Sequence, residues 1–172
     1  ELNNKNNNNN DLVWRAMAKA GFTSIKKPRG LLRTDGKRPD GLSLIPWQDG
    51  RCVTWDVTVT DTVAASYLNN TASCAGLAAE AAASRKEDKY AEIAVRYHFF
   101  PLAFETFGPI NQAGCEFLSS LGHRLSHVSD DPRETSFLFQ RLSVSIQRFN
   151  SVCFCNSFGN LPAQCFYQPG YT

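Results

Sequence analysis

Apolar and polar residues alternate strictly over the eight residues from Val53 to Thr60. Successive side chains of a β-strand point to opposite faces, so this pattern predicts a strand with one face of valine and tryptophan. Asp56 and Thr58 lie together on the other face. An acid in the centre of a valine-rich strand runs against β-propensity, and a buried carboxylate usually has a partner or a metal.

A second strand precedes this one, and together they form a predicted hairpin. Asp49-Gly50 is typical of a two-residue hairpin turn, and the first strand begins at Asp40. Simple pairing around that turn sets Asp40 opposite Val59, about 10 Å from the level of Asp56 at roughly 3.3 Å per residue. Pro46 cannot donate a ladder hydrogen bond, so a bulge there would change this register.

The N-terminal residues 1–10 are nearly all asparagine and lysine. Such a segment buries too little apolar surface to offset the entropy of ordering, so we expect a disordered leader or linker. Asp11 is a suitable N-cap for a helix over about 12–20, and Gly21 ends that helix.

The rest of the chain predicts further helices and one more strand. An alanine-rich helix over 75–94 places Lys86, Lys89 and Tyr90 on one face. The later elements are a buried strand over 96–107 interrupted by Pro101, helices over 112–126 and 132–152, and an irregular tail over 156–172. Glu105, near the end of the strand, is expected to form a structural salt bridge.

This order of elements predicts an α/β fold, a sandwich of helices around a small mixed β-sheet, in one domain over 11–155. The length of 172 residues is enough for one real core. No apolar run approaches the roughly 18 residues that a membrane helix needs, so no membrane is expected as a partner. The six cysteines lack the dense spacing of a secreted scaffold, which favours reduced thiols and an intracellular location.

The net charge of +2 says less than the distribution of charge. A basic segment, over 26–38, contains a single acid, Asp35, and runs directly into Asp40. Its cations are Lys26, Lys27, Arg29, Arg33, Lys37 and Arg38. A positive patch that leads to a carboxylate site is the arrangement expected for a phosphodiester substrate, and these six residues are the candidate DNA-binding set. On charge alone, a solvated loop is the alternative.

Two carboxylates brought together by a hairpin can hold a divalent metal, because hard cations take oxygen ligands. Asp40 and Asp56 are therefore the candidate metal ligands. As an isolated observation, Asp40 also fits a turn cap beside Pro39 and Gly41. Lys86 and Lys89 of the following helix, each taken alone, also fit ordinary solvated helix lysines.

Four strings of residues carry a resemblance to a known family. They are Asp35-Gly-Lys-Arg-Pro-Asp-Gly, Trp55-Asp-Val-Thr-Val, Lys89-Tyr90, and Phe139-Gln-Arg-Leu-Ser-Val-Ser-Ile-Gln-Arg. Together they resemble the PD-(D/E)xK restriction-like endonuclease domain that follows the reverse transcriptase in non-LTR retrotransposon proteins. The resemblance covers about residues 11–155. It implies a restriction-endonuclease-like fold and target nicking that depends on Mg²⁺ or Mn²⁺. It also implies DNA as the partner, with RNA as the alternative, and work in the nucleus as part of a larger reverse-transcriptase protein.

The resemblance also implies roles for single residues. Asp40 matches the first acid of the motif and Asp56 the second, and both would bind the metal. Thr58 stands where the motif has lysine. In some members the lysine comes from the following helix, so Lys89 and Lys86 are the candidates, with Lys89 ranked first because of the Lys-Tyr pair. If neither reaches the carboxylates, the alternative is a catalytically inactive nucleic-acid-binding or interaction module that retains the fold.

Overall fold

The structure is a computed structural model, and it describes residues 2–33, 35–62 and 74–157. The described helices are α1 (Leu2–Lys19), α2 (Leu77–Lys89), α3 (Ala91–Ala94), α4 (Gln112–Ser129) and α5 (Glu134–Ser157). The strands are β1 (Ser24–Lys26), β2 (Gly41–Ser43), β3 (Val53–Thr60) and β4 (His98–Glu105), with one turn of 3₁₀ helix at Arg29–Leu31. The predicted α/β class is confirmed.

The four strands form one mixed sheet in the order β1-β2-β3-β4. β1 pairs antiparallel with β2, and β2 pairs antiparallel with β3. β3 and β4 run parallel over eight residue pairs, from Val53–His98 to Thr60–Glu105. A parallel pair needs a crossover connection, and α2 lies within it.

Helices pack against both faces of the sheet. One face of β3 contributes all four predicted apolar residues to the main core, where α1, α4 and α5 pack on it; these residues are Val53, Trp55, Val57 and Val59. On the other face α2 packs closely through a small cluster, Ala79, Ala82, Ala83 and Ala103. Small alanine side chains bring this helix near the sheet, and the side chain of Asp56 lies on this second face.

The asparagine-rich start corrects an expectation. Helix α1 begins at Leu2, so residues 2–10 are helical and are not a disordered leader, and Asp11 lies inside the helix instead of capping it. Asn9 and Asn10 are buried. Asn10 Oδ1 accepts a hydrogen bond of 2.9 Å from Trp55 Nε1, and Asn6 Oδ1 accepts one of 2.8 Å from the backbone N–H of Val59. Asparagine amides that satisfy polar groups of β3 explain why this segment folds with so little apolar surface.

The predicted end of the first helix is confirmed. Gly21 takes a φ of +85°, a left-handed conformation that glycine adopts without steric cost. Its N–H donates to the Ala18 carbonyl and the Phe22 N–H to the Met17 carbonyl, the paired bonds of a Schellman C-cap.

The hairpin has its predicted turn but a different register. Asp49 and Gly50 have positive φ values of 50° and 71°, as a type I′ turn requires. The ladder, however, pairs Gly41 with Trp55, so the expected pairing of Asp40 with Val59 is wrong by three residues. The first side of the hairpin therefore has three extra residues. They are accommodated at Leu44–Pro46, where the Leu44 N–H donates to the Thr23 carbonyl instead of to β3.

Other boundaries also differ from the sequence-based expectations. Tyr90 separates α2 from α3, so the helix expected over 75–94 is two helices. Pro101 does not interrupt β4, because a proline is tolerated on an edge strand. Helix α5 continues to Ser157, so residues 156 and 157 of the expected irregular tail are helical, and the rest of that tail lies outside the described residues. Glu105 forms no expected ion pair among the described residues; its carboxylate accepts the backbone N–H groups of Ala78 and Ala79 at the start of α2.

No disulfide joins the cysteines within the described ranges. None of the helices described for this chain is both long and apolar enough to cross a lipid bilayer.

Candidate functional site

The two candidate acids lie at the same level of the sheet. β2 and β3 pair Gly41 with Trp55, and one residue further along each strand are Asp40 and Asp56. The Asp40 N–H donates a 3.0 Å hydrogen bond to the Trp55 carbonyl, which continues the ladder to this level. The register therefore removes the separation of about 10 Å that simple hairpin pairing predicts.

The carboxylate of Asp40 is positioned by a hydrogen bond, and its pKa is set by its surroundings. Oδ2 of Asp40 accepts a 2.9 Å hydrogen bond from the backbone N–H of Val57. Burial, and then the charge of Asp56, raise the pKa of Asp40 to about 6, although the Val57 hydrogen bond and Lys86 act in the opposite direction. Asp40 is thus a carboxylate whose negative charge is poorly compensated.

Asp56 is only 4% exposed and has two partners, one on α2 and one at the C-cap of that helix. Its Oδ2 pairs with Lys86 Nζ, and its Oδ1 accepts a 3.1 Å hydrogen bond from the Tyr90 hydroxyl. These partners satisfy a buried charge that would otherwise be costly in a valine-rich strand. Burial and the nearby Asp56 carboxylate raise the pKa of Tyr90, so its hydroxyl remains a donor.

The two candidate lysines differ in what their side chains contact. Lys86 contacts Asp56, whereas Lys89 Nζ donates a 2.9 Å hydrogen bond to the Tyr90 hydroxyl and reaches the acid through that side chain. Desolvation, followed by repulsion from Lys86, lowers the pKa of Lys89. Lys86, Lys89 and Tyr90 do share one face, as the helical spacing predicts.

An open cleft of about 480 Å³ contains this site. It is lined by the acids and lysines named above together with Asn6, Asn7, Lys27, Lys37, Arg38, Val57 and Tyr90. Three members of the predicted basic segment therefore face the carboxylates. Their long cationic side chains make the mouth of the cleft electropositive.

The other three basic residues lie elsewhere. Lys26 pairs with Asp11 and lies 4.6 Å from the centre of the Trp14 ring. Arg29 is exposed in the 3₁₀ turn and does not line the cleft. Arg33 donates to the carbonyl of Lys89 and pairs with Asp35, so it fastens the basic segment to the end of α2.

Asn6 and Asn7 are site residues that the sequence interpretation missed. Both line the cleft that holds the two acids. A homopolymeric asparagine run is typical of low-complexity sequence, and only the neighbouring amphipathic pattern after Asp11 indicated a helix at all. Their place in the site depends on tertiary structure, since Asn6 is held there by the backbone N–H of Val59 in β3.

The donor atoms fit a hard divalent cation in part. Asp40 and Asp56 supply carboxylate oxygens at one level, and Val57 lines the same cleft with its N–H already directed at Asp40. In an extended strand the N–H and C=O of one residue point to the same edge, so the Val57 carbonyl adds an oxygen there. Within residues 2–33, 35–62 and 74–157, no group of three or more acidic, histidine or cysteine side chains gathers around a metal position. Water would complete the coordination, as is usual for Mg²⁺.

No protein-family model and no curated protein matches this chain.

Proposed function

We propose that this chain is a metal-dependent DNA endonuclease domain that hydrolyses a phosphodiester bond in the cleft between β2, β3 and α2. The observation that carries the proposal is the convergence of Asp40, Asp56 and Lys86 in a cleft whose mouth is cationic. The resemblance to PD-(D/E)xK domains of retrotransposon proteins supports the same reading, and the mixed sheet flanked by helices is compatible with a restriction-endonuclease-like fold.

Asp40 and Asp56 would hold Mg²⁺ or Mn²⁺. The bound ion would supply a water of lowered pKa and a Lewis acid for the phosphate. Offsetting the repulsion between the two acids is a reason for the cation to bind here, because that repulsion helps to raise the pKa of Asp40.

The protein's own cations would act on the substrate. Lys86, whose side chain is partly exposed beside the buried Asp56, would neutralise charge on a phosphate and orient the attacking water. Lys27, Lys37 and Arg38 would hold the phosphodiester backbone at the mouth of the cleft. In this proposal Lys86 takes the role of the lysine that the motif has at the position of Thr58.

The resemblance extends the proposal to a biological setting. A domain of this kind would nick a DNA target in the nucleus so that an attached reverse transcriptase can prime from the cut strand. The geometry of the cleft supports only the hydrolysis. The attached reverse transcriptase is proposed from the resemblance.

A specific observation favours a second candidate, a nucleic-acid-binding module without catalysis. Both oxygens of Asp56 already have partners, Lys86 and Tyr90, so a metal at this carboxylate would share it with an existing ion pair and hydrogen bond. With Thr58 at the usual lysine position, loss of chemistry on a retained fold is the natural rival.

Incubation of the purified chain with supercoiled plasmid and Mg²⁺ or Mn²⁺ separates these functions. We expect nicking that EDTA, Asp40→Asn and Asp56→Asn each abolish. Asp49→Asn is the matched control, because the residue lies in the hairpin turn at a positive φ that asparagine tolerates. DNA binding of equal strength in all variants, with no nicking in any, would refute the enzyme and leave the binding module.

A further inference from the structure

A second cavity lies on the other side of the N-terminal helix from the cleft. It is a groove of about 570 Å³ between α1 and α5, lined by Asn8, Leu12, Phe137, Gln140, Arg141, Val144, Ser145 and Arg148. None of these residues takes part in the proposed hydrolysis. The residues from α5 recur at spacings of three and four, so they form one stripe along that helix.

The groove is positively charged. Arg141 and Arg148 are both exposed, and at seven residues apart they lie on the same face, separated by about 10 Å along the helix axis. The described lining contains no acid to neutralise them. The nearby carboxylates of Glu134 and Asp11 are engaged by Lys19 and Lys26. Two arginines at this separation can contact separate phosphates of one strand.

Part of the groove's lining is apolar. Leu12 and Phe137 are half-buried, and Val144 is 66% exposed to solvent. Binding to the phosphates of a duplex does not require apolar side chains. Binding of unpaired bases does, because the bases bury their faces against aromatic and aliphatic side chains while arginines hold the backbone.

The groove and the cleft share a wall. Asn6 and Asn7 line the cleft, and the next residue, Asn8, lines the groove. Asn8 Nδ2 donates a 2.6 Å hydrogen bond to Ser145 Oγ, which in turn donates a 2.7 Å bond to Asn9 Oδ1. This chain of bonds ties α1 to α5, so a strand that leaves the cleft over this turn of α1 meets the groove directly.

Resting on the proposed function, we propose that the groove between α1 and α5 binds an unpaired nucleic-acid strand that continues from the duplex in the cleft. Arg141 and Arg148 hold its phosphates, and Leu12, Phe137 and Val144 contact its bases. The domain is thereby suited to a junction of duplex and single strand.

Fluorescence anisotropy with two labelled probes tests this: a blunt DNA duplex, and the same duplex with an unpaired tail. The unmodified chain should bind the tailed probe more tightly. Arg141→Ala/Arg148→Ala should remove that preference, weaken tailed binding by about tenfold, and lower the slope of log K against log salt by about 1.4, the value for two phosphate contacts on a single strand. Arg85→Ala/Arg96→Ala removes the same charge on and after α2, outside both cavities, and should retain the preference.

The outcomes separate this proposal from the proposed function. Equal binding of both probes by the unmodified chain, or an unchanged preference in Arg141→Ala/Arg148→Ala, overturns the groove even if the chain nicks plasmid. Loss of the tail preference in that variant supports the groove even if the chain nicks nothing. Self-association that Val144→Glu abolishes, with tailed binding unchanged, would assign the groove to a protein partner and overturn the proposal.

Discussion

The backbone N–H of Val57 donates a 2.9 Å hydrogen bond to Oδ2 of Asp40, which ties the first acid of the site to the strand that carries the second. The two acids are 16 residues apart in sequence (56 − 40) and one level of the sheet joins them. The proposed chemistry depends on this relationship, because it decides whether one cation can contact both carboxylates.

Close packing of Gly41 on Trp55 fixes this level. A Cβ at residue 41 would lie 2.1 Å from an atom of the buried Trp55 ring. Gly41→Ala should therefore lower the free energy of unfolding by about 1–3 kcal/mol, the usual cost of overpacking, and should abolish nicking by displacing Asp40. Urea unfolding followed by fluorescence measures the first effect.

Gly30→Ala is the matched control for that substitution, since nothing lies within 4 Å of a Cβ at residue 30. It should leave the free energy of unfolding within about 0.5 kcal/mol of the unmodified value. Equal destabilisation by both substitutions would mean that the contact with Trp55 does not set the register.

Asp40 should make the stability of the metal-free chain depend on pH. The pKa of Asp40 is about 6 in the folded chain and 3.8 for an unperturbed aspartate. Between these two pH values the folded chain therefore binds a proton at Asp40 that the unfolded chain does not. Stability is therefore highest below about pH 4 with respect to this group, and falls as pH rises through about 6. Asp40→Asn should remove the loss, and stabilise the chain above pH 6 by up to about 3 kcal/mol.

The measurement is a series of urea titrations of both proteins between about pH 4 and pH 8 without divalent metal. The difference between them should grow with pH and level off above about 6. A difference that is constant over this range would show that Asp40 is not a buried, repelled carboxylate.

Divalent metal should stabilise the folded chain. At a hundredfold excess over its Kd, Mg²⁺ or Mn²⁺ would add about 2.7 kcal/mol to the free energy of unfolding. The effect should weaken as pH falls below about 6, because a proton competes for Asp40. Thermal unfolding with Mn²⁺, with and without EDTA, checks this, and Asp40→Asn should show no Mn²⁺-dependent shift. A shift of the same size in that variant would place the metal elsewhere.

The two lysines of α2 should differ in their effect on nicking. Lys86 contacts Asp56, and Lys89 reaches it only through Tyr90. Lys86→Ala should lower the rate by about a hundredfold or more, and Lys89→Ala by less than about tenfold. Lys86→Arg keeps the charge beside the buried Asp56 and so controls for misfolding, with circular dichroism as the check on each variant. A larger loss in Lys89→Ala would restore the order that the sequence favours.

Several features could be predicted because they depend on residues close together in sequence. Alternation over Val53–Thr60 correctly places four apolar side chains in the core, and Gly21 ends its helix as expected. Local patterns do not predict the helix over the asparagine run, because asparagine is a weak helix former. Its amides here bond to groups of β3 that lie more than 40 residues away in sequence.

The sequence by itself determined that a valine-rich strand carries Asp56 on one face and that a turn lies at Asp49-Gly50. It also determined that Lys86 and Lys89, with Tyr90 at the helix end, lie on the same side. Period-two and helical spacing are local geometry, so they can be read from the chain. Only the tertiary structure decided that Asp40 lies at the level of Asp56 and that Lys86 is the lysine in contact. Both depend on how the excess residues at Leu44–Pro46 are accommodated and on how closely alanines let α2 approach the sheet. Such distances are set by packing between segments distant in sequence, which no local pattern encodes.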